Sequence, residues 1–332
     1  MRRTPLRTLT ALVLAAVLTA GCGAADPSGD DAAAPITLGF SAWPGWFPWQ
    51  VADKQGLFAK NGVEVELKYF DSYTDSLQAL ATGAIDANSQ TLNDTLASVA
   101  GGAKQTIVLV NDNSTGNDQI IAADGIATLA DLKGKTVAAE QGTVDHYLLL
   151  LALQKAGLTQ DDITFSPLTT DAAAAAFAAG RVDAVGAFAP FTTTALKREG
   201  SKAIATSADF PGAIPDHLVV ARDLVADRPD DVQALVQTWF DTVAWIKANP
   251  KEAIAIMAER AGVSEADYAS YDAGTTIFTL EQNKAAFGPG SEPTNLAHQA
   301  GLIADFLVAS GLADVEPPLD GLFEPKFLDG LK

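Results

Sequence analysis

Two eight-residue stretches decide the fold: LATGAIDA at positions 80–87 and FAAGRVDA at positions 177–184. In each stretch a helical pattern ends at a glycine, Gly83 or Gly180, which favours a left-handed helix cap before the next strand. The same helical pattern precedes each stretch, and the same strand and helix patterns follow it. We therefore predict two lobes of similar topology.

Strand-like and helix-like runs alternate around both stretches, which predicts βαβ units with mainly parallel sheets flanked by helices. The first series predicts strands and helices in turn at 36–40, 47–60, 63–70, 73–82, 85–89, 91–100 and 106–110. The second series predicts them at 136–139, 143–156, 163–167, 171–179, 182–188 and 191–199.

From residue 229 onward the pattern is almost wholly helical, and we expect this long tail to return to the first lobe. That return makes the first lobe discontinuous, so residues 36–120 and 218–332 form lobe I and residues 121–217 form lobe II. The chain then crosses between the lobes near Ile120 and near Leu218, and two crossing strands of this kind form a hinge.

The N-terminus predicts export. Residues 1–21 carry three arginines and an apolar run that is too short to span a bilayer, which is typical of a signal peptide. LTAGC at 18–22 resembles a lipobox, although Thr19 stands where leucine is commonest, so we expect lipidation at Cys22. An ordinary secretory signal is the alternative. Residues 22–35 form a tether, and the protein is expected on the outer face of the cytoplasmic membrane or in the periplasm, anchored to the membrane by its lipid.

Composition excludes several function classes. Cys22 is the only cysteine, so the folded domain has no disulfide, zinc–cysteine cluster or cysteine nucleophile. Without the signal peptide, 19 basic residues face 41 acidic ones, and a net charge of −22 disfavours nucleic acid as a partner and favours cations in an open cleft. No serine-hydrolase, phosphate-loop or metal-ligand spacing occurs. We expect no enzyme activity, no cofactor and no metal.

The richest aromatic stretch is GFSAWPGWFPW at 39–49, between a predicted strand and a predicted helix. Ligands of open α/β sheets bind beyond the carboxyl ends of the strands, so this turn is a natural site. Trp43 and Trp46 are candidate ligand contacts, whereas Trp49 lies inside the helix and is expected to be core. A hydrophobic staple sealing the helix is the alternative for all three residues.

Alignment of the two copies places Thr91 opposite Phe188 and Asp94 opposite Phe191, at the turn that faces the cleft in each lobe. These four residues are candidate ligand contacts. The alternative is structural: Thr91 caps its helix with Asp94 completing a capping box, and both phenylalanines belong to the core.

Two further turns supply candidates. NDNSTGND at 111–118 follows an apolar strand pattern and contains Asp112 and Asp118; a plain surface loop is the alternative, and calcium-loop spacing is absent. EQGTVDH at 140–146 is the equivalent turn of the second lobe, and it contributes three residues to the predicted site. They are Glu140, Thr143, which is also a candidate helix N-cap, and His146.

The chain resembles the periplasmic binding proteins of ABC importers, in the branch that serves nitrate, sulfonates, taurine and thiamine precursors. The resemblance covers residues 36–323, and its main motifs are GWFPW at 45–49, GLF at 56–58, DLKGK at 131–135, GRVDA at 180–184 and NPKEA at 249–253. It implies a two-lobe binding protein fold of type II, an ABC permease as partner and no catalysis. We expect a monomer. An exported or precursor-synthesising enzyme on the same fold is the alternative.

The motif at 45–49 together with STGND at 114–118 looks most similar to the members linked to guanidine uptake. The turns contain no Lys or Arg, but they hold five acidic candidates, namely Asp71, Asp94, Asp112, Asp118 and Glu140. Guanidinium needs carboxylates around its edge and aromatic rings over its faces, so it is the leading ligand. We expect two or three of the acids to contact it, above all Asp94 and Asp118. An aliphatic sulfonate such as taurine, or nitrate, held by helix N-termini is the alternative.

Overall fold

The computed structural model describes residues 34–331. The predicted signal peptide, Cys22 and nearly all of the predicted tether lie outside the described residues. Within the described part, no helix combines the length and the apolar character needed to span a bilayer.

The strands alternate with helices as predicted. The strands are β1 (Ile36–Phe40), β2 (Val65–Tyr69), β3 (Ala87–Thr91), β4 (Gln105–Ser114), β5 (Asp118–Ala122), β6 (Thr136–Ala139), β7 (Thr164–Pro167), β8 (Ala184–Phe188), β9 (Lys202–Thr206), β10 (Pro215–Ala221) and β11 (Thr275–Ile277).

The helices of the first part of the chain lie between these strands. They are α1 (Pro48–Lys54), α2 (Leu57–Lys60), α3 (Tyr73–Ala81), α4 (Leu92–Ala100), α5 (Val144–Lys155), α6 (Thr170–Ala178) and α7 (Phe191–Ala195). The helices of the C-terminal part are α8 (Arg222–Asp227), α9 (Pro229–Ala248), α10 (Pro250–Ala261), α11 (Glu265–Ser270), α12 (Leu280–Phe287), α13 (Leu296–Ser310) and α14 (Lys326–Asp329).

The strands form two sheets with the same plan. The first has the order β2-β1-β3-β10-β4-β11, and the second has the order β7-β6-β8-β5-β9. In both sheets the second strand of the order, β1 or β6, pairs in parallel with its neighbours, whereas β10 and β5 are antiparallel to the strands beside them. The sheets are therefore mixed rather than mainly parallel. The reason is connectivity: β5 and β10 each begin where the chain has just crossed from the other sheet.

The internal repeat performs the same task in both sheets. Asp86 Oδ2 accepts the backbone N–H of Thr37 at 2.9 Å, and Asp183 Oδ2 accepts that of Thr136 at 2.8 Å. Asp86 thereby fixes the start of β1, and Asp183 fixes the start of β6. The two glycines that precede them adopt the predicted left-handed conformation, with φ of 74° and 73°. The prediction of two units of similar topology is confirmed.

The chain passes from the first sheet to the second between Ser114 and Asp118, and it returns between Thr206 and Pro215. The predicted crossing points, Ile120 and Leu218, lie a few residues further on, inside β5 and β10. The division into lobes at residues 36–120 with 218–332 and at 121–217 stays a prediction.

The helical tail packs on the elements of the first sheet, as expected. Trp239 of α9 lies against Trp49 of α1, with ring centroids 4.8 Å apart, and the indole N–H of Trp49 donates to Ser89 Oγ. Both tryptophans are fully buried. On the other side, Asn283 of α12 accepts the backbone N–H of Val110 in β4. Trp49 therefore belongs to the core.

Two local predictions were wrong. The single helix expected at 47–60 is divided by Gly56, whose φ of 65° ends α1 and allows α2 to start in a new direction. The polar run expected to form a turn at 111–118 continues β4 as far as Ser114, so only residues 115–117 remain as a connection. Its backbone is paired on both sides, with β10 and with β11, which explains how such polar residues form a strand.

Candidate ligand site

A small cavity lies where the carboxyl ends of β1, β2, β3 and β8 meet the starts of β5, β10 and α5. Its lining residues are Trp43, Trp46, Tyr73, Thr91, Asp118, Val144, Phe188, Ile214 and Asp216. The cavity measures about 10 Å³, which is room for about one water molecule. Because parallel strands bring their carboxyl ends to one edge of a sheet, residues distant in sequence converge here.

Four aromatic rings form the walls of this cavity. Trp46 lies 5.3 Å from Tyr73 between ring centroids, and Trp43 lies 6.5 Å from Trp46. Phe188, from the second sheet, contacts Trp43 and Tyr73 edge-on at 6.3 and 6.2 Å. The second sheet thus closes an aromatic enclosure whose other three rings come from elements of the first sheet.

Buried aspartates supply the polar part of the site. Asp118 and Asp216 line the cavity, and Asp112 lies behind the tryptophan turn, where its Oδ1 accepts the indole N–H of Trp43 at 2.9 Å. Asp112 and Asp216 are register partners in β4 and β10. Gly45 permits this packing, since a Cβ at its position would stand only 1.9 Å from Asp112 Oδ2.

Burial raises the pKa of each of these carboxyls. The pKa of Asp118 is raised to about 7 and that of Asp112 to about 8, because both side chains are removed from water. The pKa of Asp216 is raised well above its usual range by burial and by the neighbouring carboxyls of Asp112, Asp118 and Asp94. At neutral pH the cluster therefore holds protons that exposed aspartates would have released.

No cationic side chain balances this cluster. The ion pairs within residues 34–331 lie elsewhere, as between Lys60 and Asp241, and none includes a cavity aspartate. Two carboxyl oxygens receive no hydrogen bond from any described residue, namely Asp118 Oδ2 and Asp145 Oδ1. Asp216, by contrast, is hydrogen-bonded to Trp46 and to Asp112. Buried acids in this state favour a ligand that brings positive charge and N–H donors.

Carboxylates of the protein itself occupy two helix N-termini beside the cavity. Asp94 Oδ2 accepts the first backbone N–H of α5, from Val144, at 3.2 Å. Glu140 Oε2 accepts the first backbone N–H of α6, from Thr170, at 3.0 Å. The N-terminus of a helix is where an anion would bind, so these two positions are already taken by negative groups.

A proton is shared near the start of α6. The hydroxyl of Thr170 lies within hydrogen-bond distance of both Glu140 and Asp145, yet it has only one proton to donate. Hydrogen bonds of this hydroxyl to both carboxyls would require one of the carboxyls to be protonated. Burial raises the pKa of Asp145 well above its usual range, which favours its protonated form.

The structure brings most of the predicted residues together. Five line the cavity, namely Trp43, Trp46, Thr91, Asp118 and Phe188. Asp112 and Asp94 lie directly behind them, and Asp94 is bonded to Thr91 as well as to Val144. Three more line an adjacent pocket that shares Tyr73 and Phe188 with the first; they are Asp71, Glu140 and Phe191. Whether these residues bind a ligand stays a prediction.

Thr91 has both of the roles that its sequence indicated. Its Oγ1 accepts the backbone N–H of Asp94 and donates to Asp94 Oδ2, so it caps α4 while it also faces the cavity. Thr143 occupies the N-cap position of α5, but its hydroxyl donates to the carbonyl of Glu140 instead of capping the helix.

His146 is directed away from the cavity. Its ring stacks on Phe165 with centroids 4.6 Å apart, and its Nδ1 accepts the backbone N–H of Gly142. The other ring nitrogen contacts the amide oxygen of Gln160, and burial lowers the pKa of the imidazole. His146 is therefore part of the packing of α5 and lines neither of the two pockets, and its contact with a ligand stays a prediction.

Three residues of the cavity region escaped the sequence analysis: Tyr73, Asp145 and Asp216. Tyr73 comes shortly after the end of β2, as Trp43 comes shortly after the end of β1. Its position could therefore have identified it as a candidate site residue. Asp216 stands at the start of β10, next to a crossing. Its neighbour His217 points to the opposite face of the strand, as successive strand residues do, and is fully buried.

The model of the NMT1-like family matches residues 29–262. The chain belongs to this family. It is 29% identical over 251 residues to the taurine-binding periplasmic protein of Escherichia coli (strain K12), an alignment that covers 72% of this chain and 77% of the relative. The crystal structure of the periplasmic aliphatic sulphonate binding protein SsuA from Escherichia coli superposes with a TM-score of 0.74 and 26% identity, over 90% of this chain and 94% of that one. The predicted periplasmic binding protein fold is confirmed, and proteins named for sulfonates and taurine are homologues.

The same fold also carries catalysis elsewhere. The desulfurization enzyme DSZB superposes with a TM-score of 0.63 at 17% identity, over 88% of this chain and 97% of the enzyme. At that identity the likeness concerns the fold alone. The homologues with higher identity are named as binding proteins, which supports a binding function for this chain.

Proposed function

We propose that this protein is the substrate-binding component of an ABC importer, and that its ligand is a small organic cation with guanidinium as the leading candidate. The observation that carries the proposal is the group of buried aspartates around the cavity, none of which forms an ion pair with a described residue. A guanidinium ion presents only N–H donors in one plane, so it meets carboxylate oxygens at its edge and aromatic rings at its faces.

The residues that line the cavity suit this chemistry. Asp118 and Asp216 offer acceptors within the walls, while Trp43, Trp46 and Phe188 offer ring surfaces. The cavity has room for about one water molecule, so in this proposal its walls must move apart before guanidinium can enter. Asp94, one of the two acids expected to contact the ligand above all, has its carboxylate engaged by Thr91 and Val144, so in this proposal it frames the site.

An aliphatic sulfonate is the second candidate, because the homologues named above include taurine-binding and sulphonate-binding proteins. A sulfonate needs N–H donors or cations at its oxygens. In this chain the α5 and α6 N-termini already bind Asp94 and Glu140, and every buried carboxyl that is ionised would repel the sulfonate. The electrostatics of the site therefore favour the cation.

Calorimetric titration with guanidinium, urea, taurine and nitrate tests the proposal. Guanidinium should bind at one equivalent. Urea has a similar shape without the charge and should bind at least ~100-fold more weakly, the factor given by about 3 kcal/mol of lost charge-assisted hydrogen bonding. Tight binding of taurine or nitrate without any response to guanidinium would overturn the assignment in favour of the second candidate.

Site variants refine the same experiment. Asp118→Asn removes a cavity carboxylate while keeping the side-chain shape, and it should weaken guanidinium binding more than tenfold. Asp94→Asn tests a framing residue, and unchanged affinity would remove it from the site. Asp305→Asn, an exposed position on α13, is the matched control and should bind guanidinium as the unmodified protein does.

Catalysis on this fold is tested in the same samples. We expect the ligand to be recovered unchanged at one equivalent after incubation, as a receptor requires. Chemical conversion of the ligand would identify an enzyme instead.

Delivery to a permease requires export, and the lipid anchor at Cys22 is part of the proposal. Expression of the full chain with its signal sequence should give a membrane-bound protein whose mass includes lipid at Cys22. Cys22→Ser should release it into the soluble fraction. A soluble, unlipidated product from the unmodified sequence would support the ordinary secretory signal.

A further inference from the structure

A second cavity lies beside the tryptophan turn. It measures about 230 Å³, far more than the aspartate cavity. Elements α1, α9, α10, α11 and β11 line it, together with Pro44 of the turn itself. The cavity opens to solvent beside the exposed residues Lys247 and Asp272, and a concave, mostly apolar surface of this kind is a typical place for a small ligand.

The walls of this cavity are apolar. Aliphatic and aromatic side chains form most of them, including Val243, Ile246, Met257 and Ile277. The rings of Tyr268 and Tyr271 complete the lining. Among these lining residues, which are all within the described part of the chain, no buried side-chain polar atom lacks a hydrogen-bond partner.

The two tyrosine hydroxyls already have hydrogen-bond partners within the protein. That of Tyr268 donates to the carbonyl oxygen of Pro44 at 2.9 Å and is also near Met257 Sδ, whereas that of Tyr271 bonds Thr193 at 2.7 Å. The cavity therefore presents ring surface rather than hydroxyl groups. Its charged residues, Lys247 and Asp272, are exposed and stand at the rim.

We infer that this cavity is a second binding site, which takes a small uncharged aromatic molecule of one or two rings. Apolar cavities of about 150 Å³ are large enough for benzene, so about 230 Å³ suits a bicyclic ring such as indole. A charged ligand would find no buried partner there, and a long chain would not fit. The inference concerns different residues from the aspartate site and does not depend on the identity of its ligand.

Residues that line the cavity also contact other parts of the molecule, so a bound ligand could affect them. Pro44 separates the cavity from Trp43, and Tyr271 connects it to α7 of the second sheet through Thr193. Asn117, in the connection between the sheets, donates to the carbonyl of Tyr271 and to Thr275 Oγ1. The walls of the cavity are thus continuous with the elements that a hinge motion would displace.

Indole is the probe for the test, with binding to the full chain measured by calorimetry and by ligand-observed NMR. We expect saturable binding with a dissociation constant below about 1 mM, which is the range for a ligand of about nine non-hydrogen atoms. Ile246→Trp fills the cavity and should weaken indole binding at least tenfold. Leu302→Trp, at an exposed position on α13, is the matched control and should leave it unchanged.

A melting curve for each variant shows whether it is folded. Neither this measurement nor the indole titration involves guanidinium, so the result does not depend on the proposed function. If Ile246→Trp does not fold, Ile277→Phe from β11 replaces it as the filling variant. Absence of saturable indole binding at 1 mM overturns the inference, as does indole affinity that is the same in a folded filling variant and in the unmodified protein.

Discussion

Asp112 and Asp216 stand directly opposite each other in the antiparallel strands β4 and β10, and both side chains are almost completely buried. Two carboxylates held this close in a dry environment repel each other, and the pair resists full ionisation. Burial is the largest effect on both pKa values; in addition Asp112 raises the pKa of Asp216, whereas a hydrogen bond with Asp216 lowers that of Asp112. Their proximity therefore costs folding free energy, which an arriving cation would offset.

Asp216→Asn should have opposite effects on the stability of the protein and on its affinity for guanidinium. The unliganded protein should gain roughly 1–3 kcal/mol at pH 8, because one buried like charge is gone. Guanidinium affinity should fall at least ~10-fold, which corresponds to about 1.4 kcal/mol. Urea unfolding and calorimetry measure the two effects. Asp305→Asn should change neither, and an Asp216→Asn protein that binds guanidinium with undiminished affinity would argue against a ligand at this pair.

The unliganded protein should become less stable as the pH rises from 5 to 8. Folding raises the pKa of Asp94 and Asp118 from 3.8 to about 7 and that of Asp112 to about 8. The folded state therefore holds extra protons in this range, and its stability is highest near pH 4 and is lost as the pH passes the raised values. Each extra proton contributes about 1.4 kcal/mol per pH unit.

Thermal unfolding at a series of pH values measures this slope. Asp112→Asn should flatten it, because the amide does not titrate. Saturating guanidinium should also oppose the loss of stability, and its stabilising effect should grow with pH as the carboxyls ionise. Stability that rises between pH 5 and 8 in the free protein would contradict the buried, protonated state of the cluster.

The alternation of elements was predictable because its signals are local. The periodicity of apolar residues, Gly83 and Gly180 are read within a few positions, and they lead to two similar sheets. The end of β4 was not predictable in the same way. Residues 111–114 are polar, and the strands that pair with them come from 215–216 and 275–277, far away in the sequence.

The site was predictable in part for the same reason. Trp43, Thr91 and Phe188 follow apolar strand patterns, so the rule that ligands bind at the carboxyl ends of strands finds them. Asp216 lies at the amino end of an antiparallel strand, so that rule does not identify it. The position of His146 after a strand also indicated the site, but its ring stacks on Phe165 and lies outside the cavity lining.

The repeat predicts matched effects in the two sheets. Asp86→Ala and Asp183→Ala each remove a carboxylate that accepts a backbone N–H at the start of β1 or β6, and each should destabilise the protein by ~1–3 kcal/mol. Neither aspartate lines the aspartate cavity, so guanidinium affinity should stay within about twofold. Urea unfolding of both variants, with Asp124→Ala as an exposed control, makes the comparison. A large effect in one variant alone would contradict equivalent roles.

The last prediction concerns closure of the two sheets on the ligand. Tyr271, which directly precedes β11, bonds Thr193 of α7 at 2.7 Å, and this contact joins an element beside the first sheet to a helix of the second. If the two parts move apart about the connections at 115–117 and 207–214, the bond exists only in the closed form. Tyr271→Phe and Thr193→Val each remove it, and each should weaken guanidinium binding about fivefold, equivalent to ~1 kcal/mol for one neutral hydrogen bond. The double variant should be no weaker than either single one, because the two changes delete the same bond. Small-angle scattering supplies the structural readout: the unmodified protein should become more compact with saturating guanidinium, and both variants should need more ligand to reach the same state. Identical profiles with and without ligand, together with additive effects of the two substitutions on affinity, would show that this contact does not report closure.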